Sequence, residues 1–266
     1  MTPLIEAVRV SKSFPLRGGL LRRRLGTVQA VEQVSLTLVA GESLGLVGES
    51  GSGKTTLARL LVGLLRPTDG EILVRGRSWS RLRGGEQLAA RRTVQCIFQD
   101  PMNSLNPRLT VEEALSEPLQ IHRLAARASR RARVDALLES VRLPASYRRR
   151  LPRELSGGER QRVGIARALA VEPEALLCDE PIASLDVSVG AQILELLRAL
   201  CLERRLALLF ISHDLRAVAS LCRRIAVMRE GRLLEAAPTE QVLSRPGHPY
   251  TTLLLRSAEL DLDAVN

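Results

Sequence analysis

The chain has 266 residues, 45% hydrophobic and 26% charged, the make-up of a soluble globular protein long enough for one large domain with an insertion. No uncharged run reaches the ~18 residues of a membrane-spanning helix, and Met1–Phe14 has no apolar core ending in a small-residue cleavage site, so neither a span nor a secretory signal is expected. The net charge of +10 comes from short basic doublets and triplets scattered along the chain with only six aromatic residues among them, a pattern of solvated helix faces rather than of a nucleic-acid surface.

Taken in chain order, the basic segment from Arg17 to Gly26 is expected to be a solvent loop. Leu44–Val47 suits a buried strand and runs into Gly48-Glu49-Ser50-Gly51-Ser52-Gly53-Lys54-Thr55, the pattern G-x-x-x-x-G-K-[ST]. A helix is predicted from Thr55 and Thr56 to Val62, stopping near Gly63 and Pro67. Small residues let the loop curl so that backbone N–H groups point at phosphate oxygens, and the helix N-terminus adds about half a positive charge. This is a polyphosphate site, with Lys54 reaching the β/γ-phosphates and the Thr55 hydroxyl on Mg2+. Of 39 basic residues only Lys12 and Lys54 are lysine, and a compact ammonium suits a tight loop better than a guanidinium fork.

Residues 100–170 are rich in helix formers, as at Val111–Leu115 and Ala132–Leu138, with breaks at Pro144 and Pro152. Leu155-Ser156-Gly157-Gly158-Glu159-Arg160-Gln161 opens a further helix through Ala170. Ser156 reads as its N-cap, and the glycines expose backbone donors there, a second anion site in the same chain. The apolar run Ala175–Cys178 closes on Asp179 and Glu180, which alternation sends to opposite faces and therefore to different tasks. Asp179 would hold Mg2+, and Glu180 would orient or deprotonate the water that attacks the γ-phosphate. A last apolar strand, Leu206–Ile211, precedes His213. Cys96, Cys178, Cys201 and Cys222 form no CxxC pair, so reduced thiols are expected rather than a zinc site or disulfides.

With these motifs in this order the chain resembles the ABC ATPase family, which the LSGGE segment distinguishes from other P-loop proteins, over residues 4–255. The resemblance implies an α/β fold: a P-loop NTPase core with a parallel sheet (1–98 and 171–240), a small antiparallel β subdomain and an inserted helical subdomain (100–170), followed by a tail (241–266). It implies ATP held by Gly48, Glu49, Ser50, Gly51, Ser52, Gly53, Lys54, Thr55 and Thr56, with Phe14 stacked on adenine. Gln99 resembles the glutamine that touches Mg2+ or the attacking water, and His213 the histidine on the γ-phosphate. Two subunits would pair head to tail, so that Ser156, Gly157, Gly158, Glu159 and Asp186 of one contact the ATP of the other. Where the family commonly writes Glu-Pro-Thr-Ser-Ala-Leu-Asp, this chain has Glu180-Pro181-Ile182-Ala183-Ser184-Leu185-Asp186; the Leu-Asp is kept, and activity is expected.

Phe98–Arg108 and Arg245-Pro246-Gly247-His248-Pro249-Tyr250-Thr251 resemble the ATPases of peptide and nickel importers. That resemblance implies a peripheral protein on the cytoplasmic face of the inner membrane. Its partners would be two permease subunits, a second homologous ATPase or a second copy, and, indirectly, an extracytoplasmic binding protein, without nucleic acid. The lack of a cysteine after Cys222 leans the cargo toward nickel or another metal chelate, with short peptides open. The alternative is a soluble ABC ATPase acting on nucleic acid or ribosomes.

Overall fold

A computed structural model describes residues 3–18, 23–98 and 105–258, and the chain divides into two compact units, residues 1–87 with 209–266 and residues 88–208. In the first unit, β1 (Ile5–Gly18) and β2 (Arg23–Leu38) pair antiparallel from Ile5 opposite Leu38 to Gly18 opposite Arg23. The segment expected as a solvent loop is therefore shorter than residues 17–26: Leu16 pairs with Gly26 and Arg17 with Arg24. Ladder hydrogen bonds satisfy the backbone there whatever the side chains, so the hairpin outruns its apolar pattern.

The chain then enters β3 (Ser43–Val47) and α1 (Lys54–Leu61), and returns through β4 (Asp69–Val74) and β5 (Arg77–Ser78) to the hairpin, giving the order β2-β1-β4-β5. A helix, α2 (Gly84–Thr93), leads out of this unit.

In the second unit, β6 (Val94–Ile97) lies parallel to β7 (Ala175–Asp179), with Val94 opposite Ala175 and Ile97 opposite Cys178. Between them come α3 (Val111–Ile121), α4 (Arg130–Ser140), short 3-10 turns at Ala145–Arg149 and Pro152–Glu154, and α5 (Gly157–Leu169). Leu115 and Leu119 on α3, Val134 and Leu138 on α4, and Ile165 and Leu169 on α5 are buried at the four-residue spacing that makes one apolar stripe per helix. Thr110 and Glu113 form a reciprocal capping box at the start of α3. The unit continues with α6 (Val187–Arg204) and the first two residues of β8 (Ala207–Ile211). Every residue of β7 and β8 is buried, which is why both read as unbroken apolar runs rather than alternating ones.

Back in the first unit, α7 (Leu215–Leu221) is followed by β9 (Arg224–Arg229) and β10 (Arg232–Pro238), an antiparallel pair. β3 runs parallel to β9, Leu44 opposite Arg224 and Val47 opposite Val227, in the order β10-β9-β3-β8. Two further helices, α8 (Thr239–Ser244) and α9 (Pro249–Ser257), close the described chain. Among the described residues no helix is long and apolar enough to cross a membrane.

α7 lies so close to β3 that a Cβ added at Gly45 would fall 2.1 Å from Cγ1 of Val218. Gly45→Ala is accordingly expected to cost about 1–3 kcal/mol through overpacking. Urea unfolding of Gly45→Ala, Val218→Ala and the double variant checks this: the double variant should lose less than the sum of the singles, because removing the Val218 methyls makes the room.

Candidate phosphate-binding site

The end of β3 sets the loop. Val47 is buried, and the chain then turns through Gly48 at φ 151 and Gly53 at φ 103, backbone conformations that side chains disfavour. Space forbids a side chain at both positions as well: a Cβ would lie 2.0 Å from the Met228 carbonyl oxygen at Gly48 and 2.2 Å from the Ala30 carbonyl oxygen at Gly53. Hydrogen bonds tie the curl down, with Ser52 N–H donating to the Glu49 carbonyl (3.2 Å) and Gly231 N–H to the Ser52 carbonyl (2.9 Å). Gly231, at the β9–β10 turn, in turn accepts from Glu32 N–H at 2.8 Å.

Lys54 opens α1 and is buried, 6% exposed. Its ammonium bends back over the loop and donates to the carbonyls of Gly48 (2.6 Å) and Glu49 (2.8 Å) and to Ser52 Oγ (3.4 Å). Three donors on a compact head make this arrangement, which a planar guanidinium would not reproduce.

His213 leaves the end of β8 exposed, between two anchored residues. Ser212, buried, donates its N–H to the Leu46 carbonyl on β3 (3.3 Å), while its hydroxyl accepts from Asp214 N–H (3.0 Å). Asp214 caps α7 by accepting from Arg216 N–H at 2.9 Å and Ala217 N–H at 3.2 Å. The backbone that carries His213 is thus tied to the strand that leads into the glycine loop. Phe14, on β1, shows 38% of its surface to solvent, and the Lys12 ammonium lies 5.3 Å from its ring centroid. That ammonium also donates to the Arg66 carbonyl at 2.7 Å.

In the second unit Asp179 ends β7 almost fully buried at 1% exposure, whereas Glu180 steps off the strand at φ 52 and is half-buried. Alternation anticipated two environments, and the left-handed turn at Glu180 makes the separation sharper than alternation alone. Ser156 caps α5 as expected: Glu159 N–H donates to Ser156 Oγ (3.3 Å) and Ser156 N–H to Glu159 Oε2 (2.7 Å). The Tyr147 hydroxyl donates to the other oxygen of that carboxylate, and Arg150 stacks 3.8 Å from the Tyr147 ring centroid. The Tyr147 hydroxyl first, and then the Ser156 backbone, hold the Glu159 carboxyl below the usual carboxylate range.

Asp186 caps the neighbouring α6, accepting from Val189 N–H (2.9 Å) and Ser188 Oγ (2.7 Å). The two helix starts pack against each other without room between them. A Cβ at Gly158 would fall 2.4 Å from Val189 Cγ1, and one at Gly157 would fall 3.1 Å from Leu185 Cδ2. Ser156–Glu159 and Asp186, distant in sequence, therefore form one surface.

Gln99 lies outside the described residues, as do Asp100–Ser104. Tyr147 and Tyr250 carry no local motif that marks them as site residues, although Tyr250 stands within the His248-Pro249-Tyr250-Thr251 segment.

Residues 31–183 match the family model described as ABC transporter. The chain is 46% identical to a probable peptide ABC transporter ATP-binding protein of Sinorhizobium fredii, y4tS, over 96% of this chain and 72% of that one. It is 44% identical to the oligopeptide transport ATP-binding protein AppF of Bacillus subtilis, over 96% of this chain and 78% of the relative. Among solved structures, the ATP-binding cassette MJ0796, a dimer bound to ADP and Pi in a post-hydrolysis state, superposes with a TM-score of 0.78 at 29% identity. The match covers 88% of this chain and 98% of that one, and it bears out the expected fold class.

Gly53→Ala should lower the affinity for tripolyphosphate at least about tenfold, because the loop must shift off the Ala30 carbonyl and out of its left-handed turn. Isothermal titration checks the affinity, and far-ultraviolet circular dichroism of the same variant should show the secondary structure intact.

Proposed function

The chain belongs to the ABC transporter family and is an ATP hydrolase of that family, and from this premise we propose that it powers the import of short peptides through a membrane permease. The observation that carries the reading is the presence of two separately built N–H-rich helix starts in one chain. One is the glycine loop and α1, closed over Lys54, and the other is α5, capped by Ser156 and packed on Asp186. A single polyphosphate needs one cradle from each of two subunits, so the arrangement fits a head-to-tail pair.

In this reading Gly48, Glu49, Ser50, Gly51, Ser52, Gly53, Lys54, Thr55 and Thr56 wrap the phosphates, and Lys54 trades its loop carbonyls for the β/γ oxygens. The exposed ring of Phe14 meets adenine. Glu180, turned off its strand into a half-buried position, orients the attacking water and takes its proton, and His213 holds the γ-phosphate from the β8 side. Ser156, Gly157, Gly158, Glu159 and Asp186 serve the ATP of the partner subunit.

A divalent cation suits the oxygen donors this chain offers. Asp179 is a buried carboxylate, Thr55 a hydroxyl at the start of α1, and among the described residues no three His, Cys, Asp or Glu side chains converge as a dedicated cage would. Mg2+, which keeps most of its ligands as water and phosphate, would be held by Asp179, Thr55 and Gln99. When bound it offsets charge on the phosphate oxygens.

The permease pair, the second ATPase and the cytoplasmic face of the membrane follow as the setting of such a subunit. The relatives named for peptide and oligopeptide transport support a peptide cargo, and they support a transporter over a soluble ATPase working on nucleic acid or ribosomes. A nickel or metal-chelate cargo is the finer reading that no named relative above supports.

Glu180→Gln is expected to retain ATP affinity while kcat falls at least about a hundredfold, since geometry persists and the base does not. ATP-loaded Glu180→Gln, tagged and recovered from gently solubilised native membranes, should bring down two integral membrane proteins and a second ATPase by mass spectrometry. Recovery of soluble or ribosomal proteins alone would overturn the transporter reading. Ser156→Arg should abolish hydrolysis yet leave ATP binding to the same chain's loop unchanged; loss of binding in a filter assay would contradict a shared site.

A further inference from the structure

The His248-Pro249-Tyr250-Thr251 segment is built into the first unit with more care than a tail needs. Glu235 on β10 accepts from Gly247 N–H (2.7 Å), His248 N–H (3.2 Å) and the Thr251 hydroxyl (2.7 Å). His248 Nδ1 caps α9 by accepting from Tyr250 N–H at 3.0 Å. Held this way, Tyr250 is 4% exposed, with the Arg229 guanidinium 4.7 Å from its ring centroid. Its hydroxyl accepts from the backbone N–H of Glu49 at 3.3 Å, inside the glycine loop and 201 residues away.

That N–H and the Gly48 carbonyl belong to one planar peptide group. The Gly48 carbonyl is the oxygen that receives the Lys54 ammonium at 2.6 Å. Tyr250 therefore grips one edge of the peptide while Lys54 grips the other. Rotation of this peptide would move the carbonyl and the ammonium together, and the Tyr250 hydroxyl adds a hydrogen bond on the N–H side to the Met228 and Ser52 atoms that crowd Gly48.

We propose that Tyr250 is a positioning residue for ATP: its hydroxyl fixes the Gly48–Glu49 peptide and through it the place from which Lys54 meets the phosphates. This rests on the reading of the glycine loop as the ATP site. The C-terminal segment thereby acts on nucleotide affinity without touching nucleotide.

The test uses the purified full chain, a fluorescent ATP analogue and ATPase kinetics. Tyr250→Phe removes one oxygen and keeps the ring, so KM and the analogue dissociation constant should rise about three- to tenfold, the worth of one hydrogen bond, with kcat within about twofold. In a Glu49→Pro background the donor is gone, and Tyr250→Phe should change affinity no further. An equal additional loss in that background, or wild-type affinity in Tyr250→Phe alone, overturns this inference while leaving the ATP site standing. Absence of analogue binding by the wild-type chain would overturn the site reading and this inference with it.

Discussion

The Lys54 ammonium, seated at 2.6 and 2.8 Å from the carbonyls of Gly48 and Glu49, is the interaction around which the first unit is arranged. A buried cation with its donors satisfied is stable only while the accepting carbonyls stay where they are. Neighbours on three sides keep them there: the Met228 carbonyl presses on Gly48, the Ala30 carbonyl on Gly53, and Gly231 N–H holds Ser52. The loop is therefore not a flexible glycine run but a backbone surface shaped by β2, β9 and the turn after β9.

The second unit solves a related problem with a different device. Two helices must begin side by side, and each start leaves backbone N–H groups without intrahelical acceptors. Ser156 and Asp186 answer this as caps, and the glycines at 157 and 158 let Leu185 and Val189 approach without a Cβ between them. The Tyr147 hydroxyl on Glu159 then ties the α5 cap to the 3-10 turn Ala145–Arg149, and Arg150 covers the ring. Asp186 thus has a local duty as a cap beside the role proposed for it across a dimer. The altered Ile182-Ala183-Ser184 stretch is compatible with that duty, because the side chains that crowd Gly157 and Gly158 are those of Leu185 and Val189.

The carboxylates at the end of β7 show how a one-residue change of backbone divides labour. Asp179 keeps the strand conformation and is buried, which is compatible with the cation-holding role proposed for it. Glu180 turns into the left-handed region and regains solvent, which is compatible with the water-orienting role proposed for it. Cys178, fully buried beside them, fills space as a small hydrophobe.

Much of this was legible in the residues themselves. Unbroken apolar runs marked β3, β7 and β8, Ser156 with Glu159 three residues on marked a capping box, and the glycine spacing around Lys54 marked the candidate phosphate loop. Each is a local rule, in which period, cap or backbone freedom leaves a residue type at a set spacing. The hairpin of β1 and β2 was underestimated because ladder hydrogen bonds carry no side-chain signature. The same is true of what braces the site. Nothing in the identity of Ala30, Met228 or Gly231 announces that their backbone atoms meet the loop, and nothing in the spacing of Glu49 and Tyr250 places a hydroxyl on an amide 201 residues distant. Sequence alone pointed to the chemistry of the family and to the candidate residues for it. Only the tertiary structure decided what holds that chemistry in place, because backbone-to-backbone and long-range contacts are chosen by packing and leave no pattern in the order of residues.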